Sequence, residues 1–211
     1  MYFVPLSRFL KQQGIIPLLH ADSDYLPGTL LRESRKGFIK AGDARTDLFG
    51  ENREKWKSIS REAHILNVNV KQTVDLSGGL GWNGMGMVLS GGLKNARHTE
   101  ILITGVKIRE FDSKGGSYSP LSLDRRLAVL KGKNPGRFSE IRKLYLLTSA
   151  FYASSCIIRF DADARTEAGS RGAIRVNGNA RLHWTSDCEL TVSDNDSVPF
   201  GFQGWRIGKG M

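Results

Sequence analysis

Apolar and polar residues alternate along two long stretches of this chain. In the first, Leu66, Val68, Val70, Val74 and Leu76 alternate with Asn67, Asn69, Lys71, Thr73, Asp75 and Ser77. In the second, Ile174, Val176, Gly178, Ala180, Leu182 and Trp184 alternate with Arg175, Asn177, Asn179, Arg181 and His183. A period of two predicts strands with one apolar and one polar face. Runs of roughly ten residues exceed the usual five or six of a soluble strand. They are close to what a tilted strand needs to cross a bilayer. Each run has a prospective partner. Residues 99–111 set Val106 and Ile108 against Lys107 and Arg109, although alternation fails at Ile101-Leu102-Ile103. Cys156, Ile158, Phe160, Ala162 and Ala164 alternate with Arg159, Asp161, Asp163 and Arg165. The pattern predicts two long amphipathic hairpins, about 62–111 and about 154–186, in one domain spanning 1–211.

Shorter elements fill the remainder. Residues 5–13 read as a helix stopped by Gly14, and 15–19 as a short strand. Pro27-Gly28 marks a turn before a second short strand, and the polar stretch between Phe38-Ile39 and Leu48-Phe49 suits a turn or short helix. Residues 78–92 are glycine-rich. Residues 122–130 suit an amphipathic helix and 131–136 a loop, while 137–152 read as a helix or a helix leading into a strand. Residues 167–172 turn the chain between the two runs of the second hairpin. A final strand pair, 188–192 with 200–207, is expected around a turn at 193–197.

Charge sharpens this picture. Lys and Arg number 31 against 21 Asp and Glu, a formal net charge of +10. Such an excess favours an anionic partner, either phospholipid headgroups or nucleic acid. The excess concentrates between Asp124 and Lys143, where Arg125, Arg126, Lys131, Lys133, Arg137, Arg142 and Lys143 face only Asp124 and Glu140. No run of about 18 apolar residues occurs, so no transmembrane helix is predicted, and the first residues lack a signal-peptide core. Cys156 and Cys188 both fall on apolar strand faces, which predicts buried reduced thiols.

Catalytic signals are weak. Gly79-Leu80-Gly81-Trp82-Asn83-Gly84 matches the dinucleotide pattern, but a two-faced strand precedes it and no βαβ unit follows. A glycine-rich bend accounts for it better. His20, His64, His98 and His183 have no metal-ligand spacing. The acid pairs Asp22/Asp24, Asp161/Asp163 and Asp194/Asp196 are poor candidates for acid–base work, and no nucleophile elbow is present. Neither an enzyme nor a metal or cofactor site is expected.

Alternation alone also describes a one-sided soluble sheet. Two details favour lipid. The apolar faces carry small residues (Gly178, Ala180, Ala162, Ala164), which fill a core poorly but tolerate lipid contact, and the opposite faces are dense in Arg, Asp and Asn, as a watery lumen requires. Aromatic belts are thin, with only Trp184 and Phe111 near strand ends.

Taken in order, these features resemble the gasdermin family, bacterial gasdermins in particular. The residues that carry the resemblance are Phe9-Leu10-Lys11 with Gly14, residues 27–31, residues 42–49, residues 146–155, and the ending Val198-Pro199-Phe200-Gly201-Phe202-Gln203-Gly204-Trp205-Arg206-Ile207. The resemblance implies an α+β fold, a twisted antiparallel sheet with short helices whose two hairpins form a transmembrane β-barrel on oligomerisation. It implies a pore-forming cell-death and antiviral defence effector. Such a protein is cytoplasmic while a C-terminal segment holds it inactive and moves to the inner membrane after an activating protease releases it. Its partners are acidic phospholipid and further copies of itself in a large ring, not nucleic acid.

On that reading, Arg8, Lys11, Arg125, Arg126, Lys131, Lys133 and Arg137 meet headgroups. Leu66, Val68, Val70, Val74, Val106, Ile108, Ile158, Phe160, Ile174, Val176, Ala180 and Leu182 face lipid. Asn67, Asn69, Lys71, Lys107, Arg109, Arg159, Asp161, Arg175, Asn177 and Arg181 face the lumen. Two departures stand out. Bacterial members often carry a lipid-modified cysteine near the N-terminus, and none precedes Cys156 here. The chain also ends at Met211, soon after the closing strand, which suggests a cleaved or truncated active form or another mode of control. The alternatives are a basic α+β module that binds nucleic acid and a soluble oligomer built from long hairpins.

Overall fold

The computed structural model describes residues 6–18, 25–34, 37–48, 58–63, 68–73, 82–84, 87–89, 96–111, 120–162, 174–176, 181–193 and 199–208. In chain order the elements begin with α1 (Leu6–Gln12), β1 (Ile16–Pro17), β2 (Thr29–Ser34), β3 (Gly37–Asp43) and α2 (Ala44–Asp47). Next come β4 (Ser58–Glu62), β5 (Val68–Thr73), β6 (Trp82–Gly84), β7 (Met87–Leu89) and β8 (His98–Phe111). The chain closes with α3 (Pro120–Lys133), α4 (Pro135–Ile141), β9 (Tyr145–Phe160), β10 (Ile174–Val176), β11 (Arg181–Ser186), β12 (Glu189–Ser193) and β13 (Gly201–Arg206). This is mostly antiparallel sheet with a few short helices, the α+β class expected.

Strand β9 is the spine of the main sheet. Along one edge it pairs with β2 at Tyr145 and Leu146 and then with β8 from Ser149 to Phe160. Along its other edge it pairs first with β13, then with β12. Strands β4 and β5 lie one after the other along the outer edge of β8, at 107–111 and 98–103.

Three apolar clusters hold the elements together. Helices α3 and α4 place Leu123, Leu127 and Ile141 over Leu30, Leu146 and Ile207. Asn134 caps α4 by accepting a hydrogen bond from the Arg137 N–H at 3.0 Å, and Pro135 occupies the first turn, where a missing N–H is harmless. A second cluster joins Tyr25, Leu31, Leu147, Ala150, Tyr152 and Phe202. The third lies along the apolar face of β8, β9 and β12, where Leu10 of α1, Ile15 and Phe200 cover Ile103, Val106, Ala153 and Ile158. Residues 149–153 are therefore buried on both faces, whereas 155–160 bury only alternate positions.

Among the described residues the sheet narrows midway. No described strand flanks β8 between Thr104 and Val106, and none flanks β9 between Tyr152 and Ser154. Here Gly105 adopts φ +61°, and a Cβ on it would lie 2.8 Å from Ser154 Oγ. The Ser154 hydroxyl donates to the Gly105 carbonyl at 3.1 Å. The ladder keeps its register through this point, with Thr104 opposite Ser155 and Val106 opposite Ala153. The buried phase nevertheless slips, from Thr99, Ile101 and Ile103 to Val106 and Ile108 on β8, and from Phe160, Ile158 and Cys156 to Ala153 and Phe151 on β9. Both halves thereby turn apolar side chains to one core. Gly105→Ala is expected to lower the thermal midpoint by on the order of 2–8 °C, since a left-handed L-residue costs about 1–2 kcal/mol. Gly105→Asn should fall between it and the wild type, and calorimetry would check the order.

Several expectations change. The strand ending near Trp184 does not pair with 156–165: β11 pairs with β12, with Leu182 opposite Val192 and Trp184 opposite Leu190. Strand β12 in turn pairs with β9, not β13. A tight turn at Asp187-Cys188 closes a far shorter loop than one reaching back to β9, so its entropy cost is lower. Cys188 consequently sits half-buried in a turn rather than on an apolar face, while Cys156 is fully buried; both thiols are free. The expected loop at 131–136 is largely helical, and 137–152 resolves into the end of α4 followed by β9. Of the first long strand, residues 68–73 form β5, with β4 preceding it at 58–62, and the glycine-rich stretch contributes β6 and β7.

Candidate membrane-facing surfaces

Helix α3 builds the basic surface. Leu123 and Leu127 point inward at i, i+4, which turns the opposite face to solvent. Arg125, Arg126 and Lys133 are exposed on it, while Lys131, also exposed, lies one turn beyond Leu127 on the side toward α4. Val129, absent from the predicted site, is 50% exposed and lies at helical spacing from Arg125, Arg126 and Lys133. An apolar side chain ringed by cations suits the boundary between headgroups and acyl chains. Its sequence signal was an apolar residue out of phase with Leu123 and Leu127. Lys131 Nζ stands 5.9 Å from the centroid of the Phe138 ring.

Arg137 behaves differently from its neighbours. Its guanidinium bonds Glu140 and Asp47, both at 2.9 Å, and ties α4 to α2. The hydrogen bonds it donates to Glu140 and then to Asp47 raise its pKa further. Arg8 and Lys11 are exposed on α1, which packs on the β8–β9–β12 cluster rather than on the α3 cluster. The predicted headgroup residues thus occupy two stretches of surface, and Arg137 serves as a tether.

Strands β8 and β9 are two-faced. Val106, Ile108, Ile158 and Phe160 are buried in the core beneath α1. Ile101, Ile103, Leu190 and Val192, outside the predicted apolar set, share that core. On the polar side, exposed Arg159 bridges three strands, bonding Glu189 at 2.7 Å and Glu100 at 3.5 Å. Asn69 is exposed, Lys107 is half-buried, and Arg109 lies 4.5 Å from the Tyr152 ring centroid. Val68, Val70 and Lys71 lie on β5, Ile174, Arg175 and Val176 on β10, and Arg181 and Leu182 on β11. Leu66, Asn67, Val74, Asn177 and Ala180 lie outside the described residues.

Asp161 closes the far end of the β8–β9 pair. It accepts from the Arg97 N–H at 2.7 Å and contacts His98 Nδ1 at 2.9 Å. Partial burial opposes ionisation of Asp161, but hydrogen bonds from His98 and Arg97 outweigh it and hold the carboxyl below its usual range. Glu189 is likewise held low, by Arg159 first and Thr185 second. A carboxylate with a depressed folded pKa contributes stability above its unfolded pKa and loses it as pH falls through the folded value. Stability is therefore expected to decline below about pH 4, and Asp161→Asn should flatten part of that decline in denaturant melts across pH.

Burial drives the Cys156 thiol far above its usual range, which leaves it unreactive. Among the described residues no three metal-ligating side chains gather, and no helix is long and apolar enough to cross a membrane, a statement that does not bear on strands.

No protein-family model and no curated protein matches the sequence. Among solved structures, a bacterial gasdermin from Bradyrhizobium tropiciagri is similar over 92% of this chain and 82% of its own, with a TM-score of 0.53 and 12% sequence identity. At that identity the likeness is one of architecture, and the spine strand, its flanking strands and the short helices constitute a gasdermin-like fold.

Proposed function

We propose that this protein permeabilises acidic membranes by oligomerising and inserting β-hairpins, acting as a cell-death effector in defence and released by proteolytic removal of a C-terminal inhibitory segment. The observation that carries this reading is the two-faced β8–β9 pair within a gasdermin-like fold. One face is apolar apart from the buried Thr99, and the other bears Glu100 and Arg159 in register, joined by Glu189 of the neighbouring β12. In water, uncovering that apolar face would cost roughly 1.5–3 kcal/mol per large side chain. Hydrocarbon removes the penalty, so a membrane can replace α1, Ile15 and Phe200 as the cover.

An isolated hairpin in lipid leaves unpaired edge groups, each costing several kcal/mol. A closed ring of copies satisfies them, which couples insertion to oligomerisation. The cations of α1 and α3 would concentrate the cytoplasmic protein at an anionic inner membrane first. The lipid-facing and lumen-facing assignments above belong to this proposal, with Ile101 and Ile103 added to the apolar set.

Dye-filled liposomes containing acidic lipid are expected to leak, and neutral liposomes to stay intact. Raising salt should weaken the initial binding, because exposed charges are screened. Equal inactivity on both liposome types would count decisively against pore formation.

A further inference from the structure

The excursion between β5 and β8 meets the excursion between β9 and β11. Strand β7 pairs antiparallel with β10 and also with β6, forming a three-stranded sheet separate from the main one. Its rungs place Met87 opposite Val176, Val88 opposite Arg175 and Leu89 opposite Ile174. The end of the glycine-rich Gly79–Gly84 run is therefore strand β6 of this small sheet.

The register of this sheet is the informative point. In the main sheet Thr99 faces Phe160, and every step back along β8 is a step forward along β9. Extended at that register, residues 87–89 would fall opposite 170–172. They are instead opposite 174–176, four residues further on. The β7–β10 pair therefore cannot belong to a regular, full-length continuation of the β8–β9 ladder. Each of its strands is three residues long, well below the usual five or six, which places the sheet among the elements that open easily.

We propose that the β6–β7–β10 sheet is a latch. It ties the two hairpins to each other, off register, before membrane contact, and its rungs break when β8 and β9 extend into lipid. This rests on the pore reading above.

Cross-linking tests it. Neighbouring antiparallel rungs alternate between closer and wider Cα spacing, both about 4.5–5.5 Å and within disulfide reach. Two double variants, Met87→Cys/Val176→Cys and Val88→Cys/Arg175→Cys, each in a Cys188→Ser background, cover both rung types. A control pair, Arg32→Cys/Ile39→Cys, staples the exposed β2–β3 hairpin. On acidic liposomes the oxidised latch variants are expected to leak at least tenfold more slowly than the wild type. Dithiothreitol should raise the leakage of each latch variant at least tenfold over its own oxidised form, and the oxidised control should leak normally. Failure of both latch pairs to form a disulfide in solution would overturn the pairing. Full leakage by an oxidised, mass-verified latch variant, beside a leaking wild type, would overturn the latch and leave the pore standing. A wild type that never leaks would remove the pore reading and the latch together.

Discussion

Reversing Arg125, Arg126, Lys131 and Lys133 to glutamate is expected to abolish binding to acidic liposomes while the protein stays folded. Each cation near an anionic surface contributes on the order of 1 kcal/mol. Loss of four such contributions is about 4 kcal/mol, or roughly a thousandfold in affinity, before the added repulsion. The fold should survive because all four side chains are exposed, while Leu123 and Leu127 anchor the helix in the core. Arg137→Ala provides the contrast. It breaks the link between α4 and α2, so it should lower the melting temperature and leave binding close to wild type. Liposome co-sedimentation with circular dichroism measures both. Undiminished pelleting of the quadruple variant would assign the cations to a merely solvated surface.

The second large effect concerns the strand that begins at β10. Val176→Lys is expected to abolish leakage, whereas Asn177→Lys, one residue along, should be tolerated and change only ion selectivity. A strand of about 11 residues at roughly 3.3 Å each, tilted near 40°, spans about 27 Å, close to the hydrocarbon thickness. Position 176 lies about three residues from the middle of such a strand, between midplane and interface, where a lipid-facing lysine costs on the order of 1–3 kcal/mol, repeated in every subunit of a ring. Dye release by both variants, after each is shown to be folded in solution, separates the two faces. Equal leakage would mean that this strand stays out of the bilayer.

Much of the fold could be read from the chain because it is written in short-range pattern. Helix α1, the turn at Pro27-Gly28, and the strand nature of β8 and of the second half of β9 follow from periodicity and turn chemistry, whereas 145–152 also read as helix. The apolar face of β8 was only half legible. Val106 and Ile108 stand out against Lys107 and Arg109, but Ile101 and Ile103 look like a failure of alternation. They belong to the same face once Gly105 shifts the phase, and a glycine between two out-of-phase runs was the available clue. Strand partners were less legible still. The patterns of 156–160, 181–184 and 190–192 are interchangeable, so loop closure, not hydrophobicity, favours the β11–β12 hairpin, and nothing in the pattern marks β12 rather than β11 as the neighbour of β9. On α3, charge density marked residues that the structure leaves exposed. It could not show that Arg137 is committed to Asp47 and Glu140, since Asp47 lies 90 residues away in the chain.

The narrow point at Gly105 and Ser154 also bears on how the molecule comes apart. Stability in a sheet passes sideways from strand to strand, and among the described residues only β8 and β9 pair at this level, with the Ala63 N–H donating to the Val106 carbonyl at 2.8 Å. Amide hydrogens of β12 and of 155–160 should therefore exchange as one cooperative unit, and those of β2, β13 and 145–152 as a slower second unit. Mild denaturant would release the first while the second remains protected. A chain that can melt one half of its sheet and keep the other has a ready-made division between the part that rearranges and the part that holds its shape.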